Sequence, residues 1–183
     1  MHFLTYVFIP EHDDMETAVV AAMRPFGDEF TVKPWKRHLG PREIAAMARC
    51  YRLRPTAVRK LAERMKDWCG CEGGIDRRGL FALLTCNPDA RWDWYEIGGR
   101  WWGKFKDNAA SCRTLPDRKD LPGLLPHDFL TPDGVWHAKV RYVRGDWLDG
   151  HFVHKSQSTW LREFTLALDR HRDCRIVCVD RHQ

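Results

Sequence analysis

The chain opens on "HFLTYVFI", an almost unbroken run of apolar, aromatic and β-branched positions that Pro10 closes, which is the pattern of a strand. Asp13 followed by Glu16 then gives a capping-box-like start to a helix over "DMETAVVAAMRPF", ended by Pro25 and Gly27. Apolar positions next recur at helical spacing twice, at Ile44, Met47, Ala48 and Tyr51, and, after Pro55, at Val58, Leu61, Ala62, Met65 and Trp68. Glycines at 70, 73, 74 and 79 break that period, and "LFALLTC" resumes as a buried strand that stops at Asn87-Pro88. From Lys106 to Asp133 periodicity fades among Pro116, Pro122, Pro126 and Pro132, so an irregular surface excursion is expected over 106–133. "TPDG" is a tight turn, "VWHAKVRYV" alternates as a strand, "STWLREFTLALDRHRD" carries a helical stripe through Trp160, Leu161, Phe164 and Leu168, and "CRIVCVDRH" closes as a strand.

This order predicts an α+β protein: an antiparallel sheet with helices on one face, a ferredoxin-like βαββαβ frame, an extra strand near Trp136 and two basic helices inserted over 42–68. A length of 183 residues, 44% hydrophobic and 30% charged, fits one globular domain over 1–183. The longest apolar runs fall well short of the roughly 20 residues of a membrane span, and "MHFLTYVFIPEHDD" has no basic n-region, so a cytoplasmic protein without a membrane partner is expected. Seven cysteines, mostly inside predicted helices and strands, point to thiols in place of a disulfide framework.

The most unusual composition lies in "WDWYEIGGRWWGKF", which puts Trp92, Trp94, Trp101 and Trp102 around Gly98-Gly99 and Arg100. A tight turn at the glycines would leave Arg100, Trp102 and Lys104 on one face of an extended arm and Trp101 and Phe105 on the other. On the preceding arm Trp92, Trp94 and Glu96 would share a face, with Asp93 and Tyr95 opposite. Indole rings beside a guanidinium and an ammonium suit a flat base carrying a phosphate, and glycines admit an anion close to backbone N–H groups. The competing reading is core: tryptophans bury large areas, and Arg100 has Asp93 and Glu96 nearby to pair with.

The stretch "GLFALLTCNPDARWDWYEIGGRWWGKF", the glycines of "CEGGIDRRG", the opening "HFLTYVFIPEHDD" with "AMRPFGDE", and the closing "VCVDRH" together resemble a family of uncharacterised bacteriophage and actinobacterial mobile-element proteins. In that family an Asn-Pro turn leads into a Trp-Asp-Trp-Tyr and Gly-Gly-Arg-Trp signature. The resemblance implies that Asn87, Pro88, Trp92, Asp93, Trp94, Tyr95, Gly98, Gly99, Arg100 and Trp101 are the family-typical positions, and it brings no activity with it. Cys69, Cys71 and Cys86 depart from its pattern, which argues against thiol or metal chemistry on them.

Charge adds a second feature. The net charge of +5 is concentrated between Arg42 and Lys66, where eight cations face two acids; Arg49, Arg52, Arg59, Lys60 and Arg64 form a basic surface suited to phosphates or to an acidic protein partner. No turn glycine marks a helix-turn-helix. His171, Cys174, Cys178 and His182 look like a ligand list, but each four-residue step along a strand spans about 13 Å, so no metal and no other cofactor is expected. Asp180 and His182, near His137 or His151, and the carboxylates Asp93 and Glu96 are the candidate acid–base groups. The expected function is a binding protein for a nucleotide or nucleic-acid phosphate near residues 92–105. The alternatives are a phosphate-compound enzyme using Asp93 or Glu96 with Arg100, or a protein-interaction module, such as an inhibitor of a host defence factor, using the basic helices.

Overall fold

The computed structural model describes residues 1–105, 111–112, 121–143 and 151–183. It is a mixed α+β protein whose chain divides into two compact units, Met1–Phe30 with Asn87–Arg141 and Val153–Gln183, and Thr31–Cys86 with Tyr142–Phe152. No helix among the described residues is long and apolar enough to cross a membrane.

In chain order the elements are β1 (His2–Pro10), α1 (Met15–Met23), β2 (Trp35–His38), α2 (Pro41–Cys50), α3 (Val58–Glu63), α4 (Met65–Cys69), β3 (Gly73–Asp76), β4 (Gly79–Leu84) and β5 (Trp94–Ile97). There follow β6 (Ser111–Cys112), α5 (Leu121–Leu124), β7 (Asp128–Leu130), β8 (Trp136–Ala138), β9 (Val140–Val143), β10 (His151–His154), α6 (Gln157–Arg170) and β11 (Cys174–His182).

The first unit is built on a sheet of order β5-β11-β1-β7-β8, with β6 also pairing β11. The two nine-residue strands β1 and β11 run antiparallel over their whole length, from His2 opposite His182 to Pro10 opposite Cys174. Leu4 to Ile9 and Ile176 to Arg181 are all buried, which is why both sequences read as continuous apolar runs: these strands are covered on two faces. Tyr6, Phe8, Ile176 and Cys178 pack with Trp160 and Phe164 of α6, while Val7, Ile9, Val177 and Val179 pack with Val19 and Met23 of α1. The helices therefore lie on opposite faces, which corrects the expectation of helices on one face. Residues of both parities on β1 are apolar, so each face needs its own cover.

Two further expectations change. Residues 128–130, assigned to the irregular excursion, form β7, fully buried and parallel to β1 through Thr5–Asp128, Tyr6–Phe129 and Val7–Leu130. Three residues between Pro126 and Pro132 are too short to show a period. Of the remaining excursion, 106–110 and 113–120 lie outside the described residues. The strand over "LFALLTC" does form, as β4, but it joins β2 and β3 in a separate sheet of order β2-β4-β3. The ferredoxin-like frame is not reproduced strand for strand.

The second unit is thus more than a pair of inserted helices. Met47 and Ala48 of α2, Leu61 of α3, Met65 of α4 and Leu80, Ala82 and Leu84 of β4 make its own core. Its helical stripe after Pro55 is split at Arg64 into α3 and α4. A buried Arg37–Glu43 pair joins β2 to the start of α2, where Glu43 also accepts from the Gly40 N–H at 2.8 Å.

Candidate functional site

The open end of the β1–β11 pair gathers the polar side chains that the hydrophobic faces exclude. Register places His2 directly opposite His182, and their rings lie 5.2 Å apart at 68°. Two residues inward on β11, Asp180 shares that face and is buried. Its carboxylate takes the Nδ1 edge of His2 at 3.0 Å and accepts from the backbone N–H and the Nε of Arg100, each at 3.2 Å. Asp93, just before β5, lies against Nδ1 of His182 at 2.9 and 3.1 Å. Each imidazole is thus fixed at Nδ1 by its own carboxylate.

The second arm supplies the remaining groups. Strand β5 pairs with β11 so that Trp94 stands opposite His182 and Glu96 opposite Asp180. Trp94 is 47% exposed and meets the His2 ring edge-on at 6.0 Å. After β5 the chain turns through Gly98 (φ 75°) and Gly99 (φ 46°) into a 3-10 turn, Gly99–Trp101. A Cβ on Gly99 would come within 2.5 Å of the Asp180 Cβ, so only glycine lets this turn close over the buried carboxylate and present the Arg100 N–H to it. The Arg100 guanidinium is about half exposed, held at Nε and directed outward. Met1 completes the cluster, with its ammonium 2.9 Å from Nε2 of His182.

Electrostatics follow from these contacts. The His182 hydrogen bond, opposed by some burial, holds the Asp93 carboxyl below the ordinary carboxylate range, so Asp93 stays an anion and orients the ring. Because an ammonium only donates, Nε2 of His182 accepts, and its Nδ1 carries the hydrogen donated to Asp93. On the far side of Asp93 and Trp94 lies a cleft of ≈ 480 Å³ whose walls include Arg24, Phe30, Trp92 and Tyr95. Burial raises the Tyr95 hydroxyl above its ordinary range, so it is neutral there.

Comparison with protein-family models, with curated proteins and with solved structures finds no match for this chain.

The sequence-based candidates divide as follows. Arg100, Trp94, Gly98, Gly99, Asp93, Asp180 and His182 are brought together. Trp92 is not on the ligand face: it is buried in the α1-side core, its indole N–H donating to the Met23 carbonyl at 2.9 Å and its ring edge-on to Tyr95 at 4.8 Å. The chain bends at Asp93 before β5 begins, so the strict alternation expected over 92–96 starts only at Trp94. The extended arm expected for 100–105 is replaced by the 3-10 turn, which separates Arg100 from Trp102 and Lys104. Trp102 is exposed, Lys104 half-buried, and Phe105 buried beside Trp101 in the α6-side core. Glu96 is exposed.

Arg100 pairs with Asp180, not with Asp93 or Glu96. His137 is not the partner of His182 either: it stacks on Phe129 at 4.4 Å and lies 2.9 Å from Glu163 of α6, while the His151 side chain lies outside the described residues. Among the described residues no group of three or more His, Cys, Asp or Glu is placed to hold a metal ion. Cys50, Cys69, Cys71, Cys86 and Cys174 stand as thiols. In the second unit Arg49, Arg52, Arg59, Lys60 and Arg64 are all exposed, with Arg64 3.4 Å from Asp67.

His2 is the residue that sequence reasoning missed. Its signal was available, because two nine-residue strands pairing end to end put the first His of one against the last His of the other.

Proposed function

We propose that this protein binds a nucleotide or a nucleic-acid phosphate at the open end of β1 and β11. The observation that carries the reading is the pair of carboxylate-held imidazoles, His2 and His182, 5.2 Å apart beside the Arg100 guanidinium. The half-exposed Arg100 side chain lies beside the two imidazoles, which are anchored on the longest strands of the fold. A phosphate oxygen accepts from a guanidinium by charge-assisted hydrogen bonds, which are roughly twice as strong as neutral ones. Trp94 offers a half-exposed ring for the attached base, worth about 1–3 kcal/mol of stacking. Asp93 and Asp180 are occupied in orienting the histidines, and Asp180 is also paired with Arg100.

The test is tryptophan fluorescence of the full chain titrated with the four nucleoside 3′-monophosphates and with a short single-stranded RNA. The expected result is saturable quenching that Arg100→Ala weakens about tenfold or more while the far-UV spectrum is unchanged. A flat response to every one of these ligands refutes the reading.

A further inference from the structure

We infer that the His2–His182 pair cleaves single-stranded RNA by transesterification, with His182 as general base and His2 as general acid. The inference rests on the phosphate-binding reading above and gives that site a reaction. The two imidazoles are cross-strand neighbours with ring centres 5.2 Å apart, and each is held at Nδ1 by a different carboxylate. Two such groups flanking one phosphate are what an in-line displacement at phosphorus needs, one to take a proton on the attacking side and one to give a proton on the leaving side.

The hydrogen bonds assign the roles. Nε2 of His182 accepts from the Met1 ammonium at 2.9 Å, so it carries no hydrogen in this arrangement, and it takes a proton when the 2′-hydroxyl displaces that ammonium. His2 is left with the acid's role, its ring fixed through Nδ1 by the buried Asp180 carboxylate at 3.0 Å. Arg100, fixed through Nε by the same carboxylate, is placed to meet charge on the non-bridging phosphate oxygens. The charged groups around the pair are Asp93, Asp180, Arg100, the Met1 ammonium and, on β5 opposite Asp180, Glu96.

The step balances within RNA itself. Nε2 of His182 removes the 2′-hydroxyl proton, and the 2′ oxygen forms a bond to phosphorus. The bond from phosphorus to the 5′ oxygen breaks with its electron pair going to that oxygen, which takes the proton from His2. The products are a 2′,3′-cyclic phosphate and a 5′-hydroxyl, and the two rings return to their starting forms by proton exchange with water. The nucleophile belongs to the substrate, so the class of substrate is RNA and not DNA. Trp94, 6.0 Å from His2, is the ring on which a flanking base would stack.

The experiment is cleavage of a fluorescent single-stranded RNA by the full chain in EDTA, alongside the same sequence as DNA and as 2′-O-methyl RNA, with anisotropy to follow binding. The expected result is RNA cleavage only, 2′,3′-cyclic phosphate ends, and a bell-shaped pH dependence. His2→Gln and His182→Gln should each lose about 100-fold or more in rate. His137→Gln, on β8 against Glu163, should be unchanged. Circular dichroism of both variants, and a second set with Asn, keep the result interpretable if one folds poorly. Asp93→Asn, a positioning change, should distort the pH profile in addition to lowering the rate. Binding without cleavage overturns the reaction and leaves the binding reading standing, whereas neither binding nor cleavage removes both. Cleavage that survives both His variants, or that spares no 2′-O-methyl RNA, also overturns it.

Discussion

Asp180→Asn isolates the group on which the site is assembled. The Asp180 side chain is 3% exposed and accepts three hydrogen bonds, from His2 at 3.0 Å and from the backbone N–H and Nε of Arg100 at 3.2 Å. A hydrogen bond to a charged acceptor contributes about 1.5–3 kcal/mol. The guanidinium bond is discounted to about 0.5 kcal/mol, because Arg100 is half exposed and its pair is screened by solvent. Asparagine keeps the shape but has one acceptor oxygen and a donating amide. Both Arg100 donors meet the same oxygen, so an amide nitrogen there confronts two N–H groups, and the flipped amide confronts His2 instead. At least one donor is left unpaired either way, and the expected destabilisation is about 2–3 kcal/mol. With a urea slope of about 2 kcal/mol/M, the midpoint of the first unit falls by about 1–1.5 M. The assay is urea denaturation followed by tryptophan fluorescence and far-UV circular dichroism together, since two compact units need not unfold in one step. A midpoint within about 0.2 M of the parent refutes the claim that Asp180 anchors this cluster.

Other outcomes follow from the same contacts. Arg181→Met leaves Asp128 buried without its guanidinium, since Arg181 and Asp128 are 4% and 1% exposed and bonded through Nε at 2.8 Å and through the terminal nitrogen; urea denaturation should show a loss of about 3–5 kcal/mol, and a loss under about 1 kcal/mol contradicts the burial argument. Gly99→Ala, at φ +46° with its new Cβ 2.5 Å from that of Asp180, should cost about 1–3 kcal/mol by urea denaturation and weaken nucleotide-induced quenching along with it; unchanged quenching shows that the turn does not position Arg100. In the second unit, hydrogen bonds from His38, Lys36 and the Arg78 N–H hold the Asp76 carboxyl below its ordinary value of 3.8. Its folded value is depressed, so its contribution is present above pH 3.8 and lost as the pH falls through the lower folded value; the midpoint advantage of the parent over Asp76→Asn should shrink across that acid window, and a constant difference contradicts it.

Much of this was legible in the chain. β1, α1, α6 and β11 carry their own punctuation: Pro10 closes the first strand, Ser156 caps α6 by accepting from the Thr159 N–H at 3.2 Å, and Asp14, one residue after the expected Asp13, caps α1 through the Thr17 N–H at 3.0 Å. What was not legible are short elements whose identity is tertiary. β7 has three residues, and β3 begins at Gly73-Gly74, which local preference assigns to a turn. Trp92 and Trp94 look alike in sequence, yet the bend at Asp93 sends one into the core and leaves the other beside His2. The Arg100 partner was sought within its own hairpin and came from residue 180, because β11 lies between β5 and β1 in the sheet.

The most direct measurement of the central claim is the imidazole region of the NMR spectrum of the full chain during titration with inorganic phosphate and then with a nucleoside 3′-monophosphate. The ring resonances of His2 and His182 should move together and saturably with both ligands, while those of His38 and His137, held by Asp76 and Glu163, stay in place. Stationary His2 and His182 resonances, or equal drift of all four rings, would contradict a phosphate site at the end of β1 and β11.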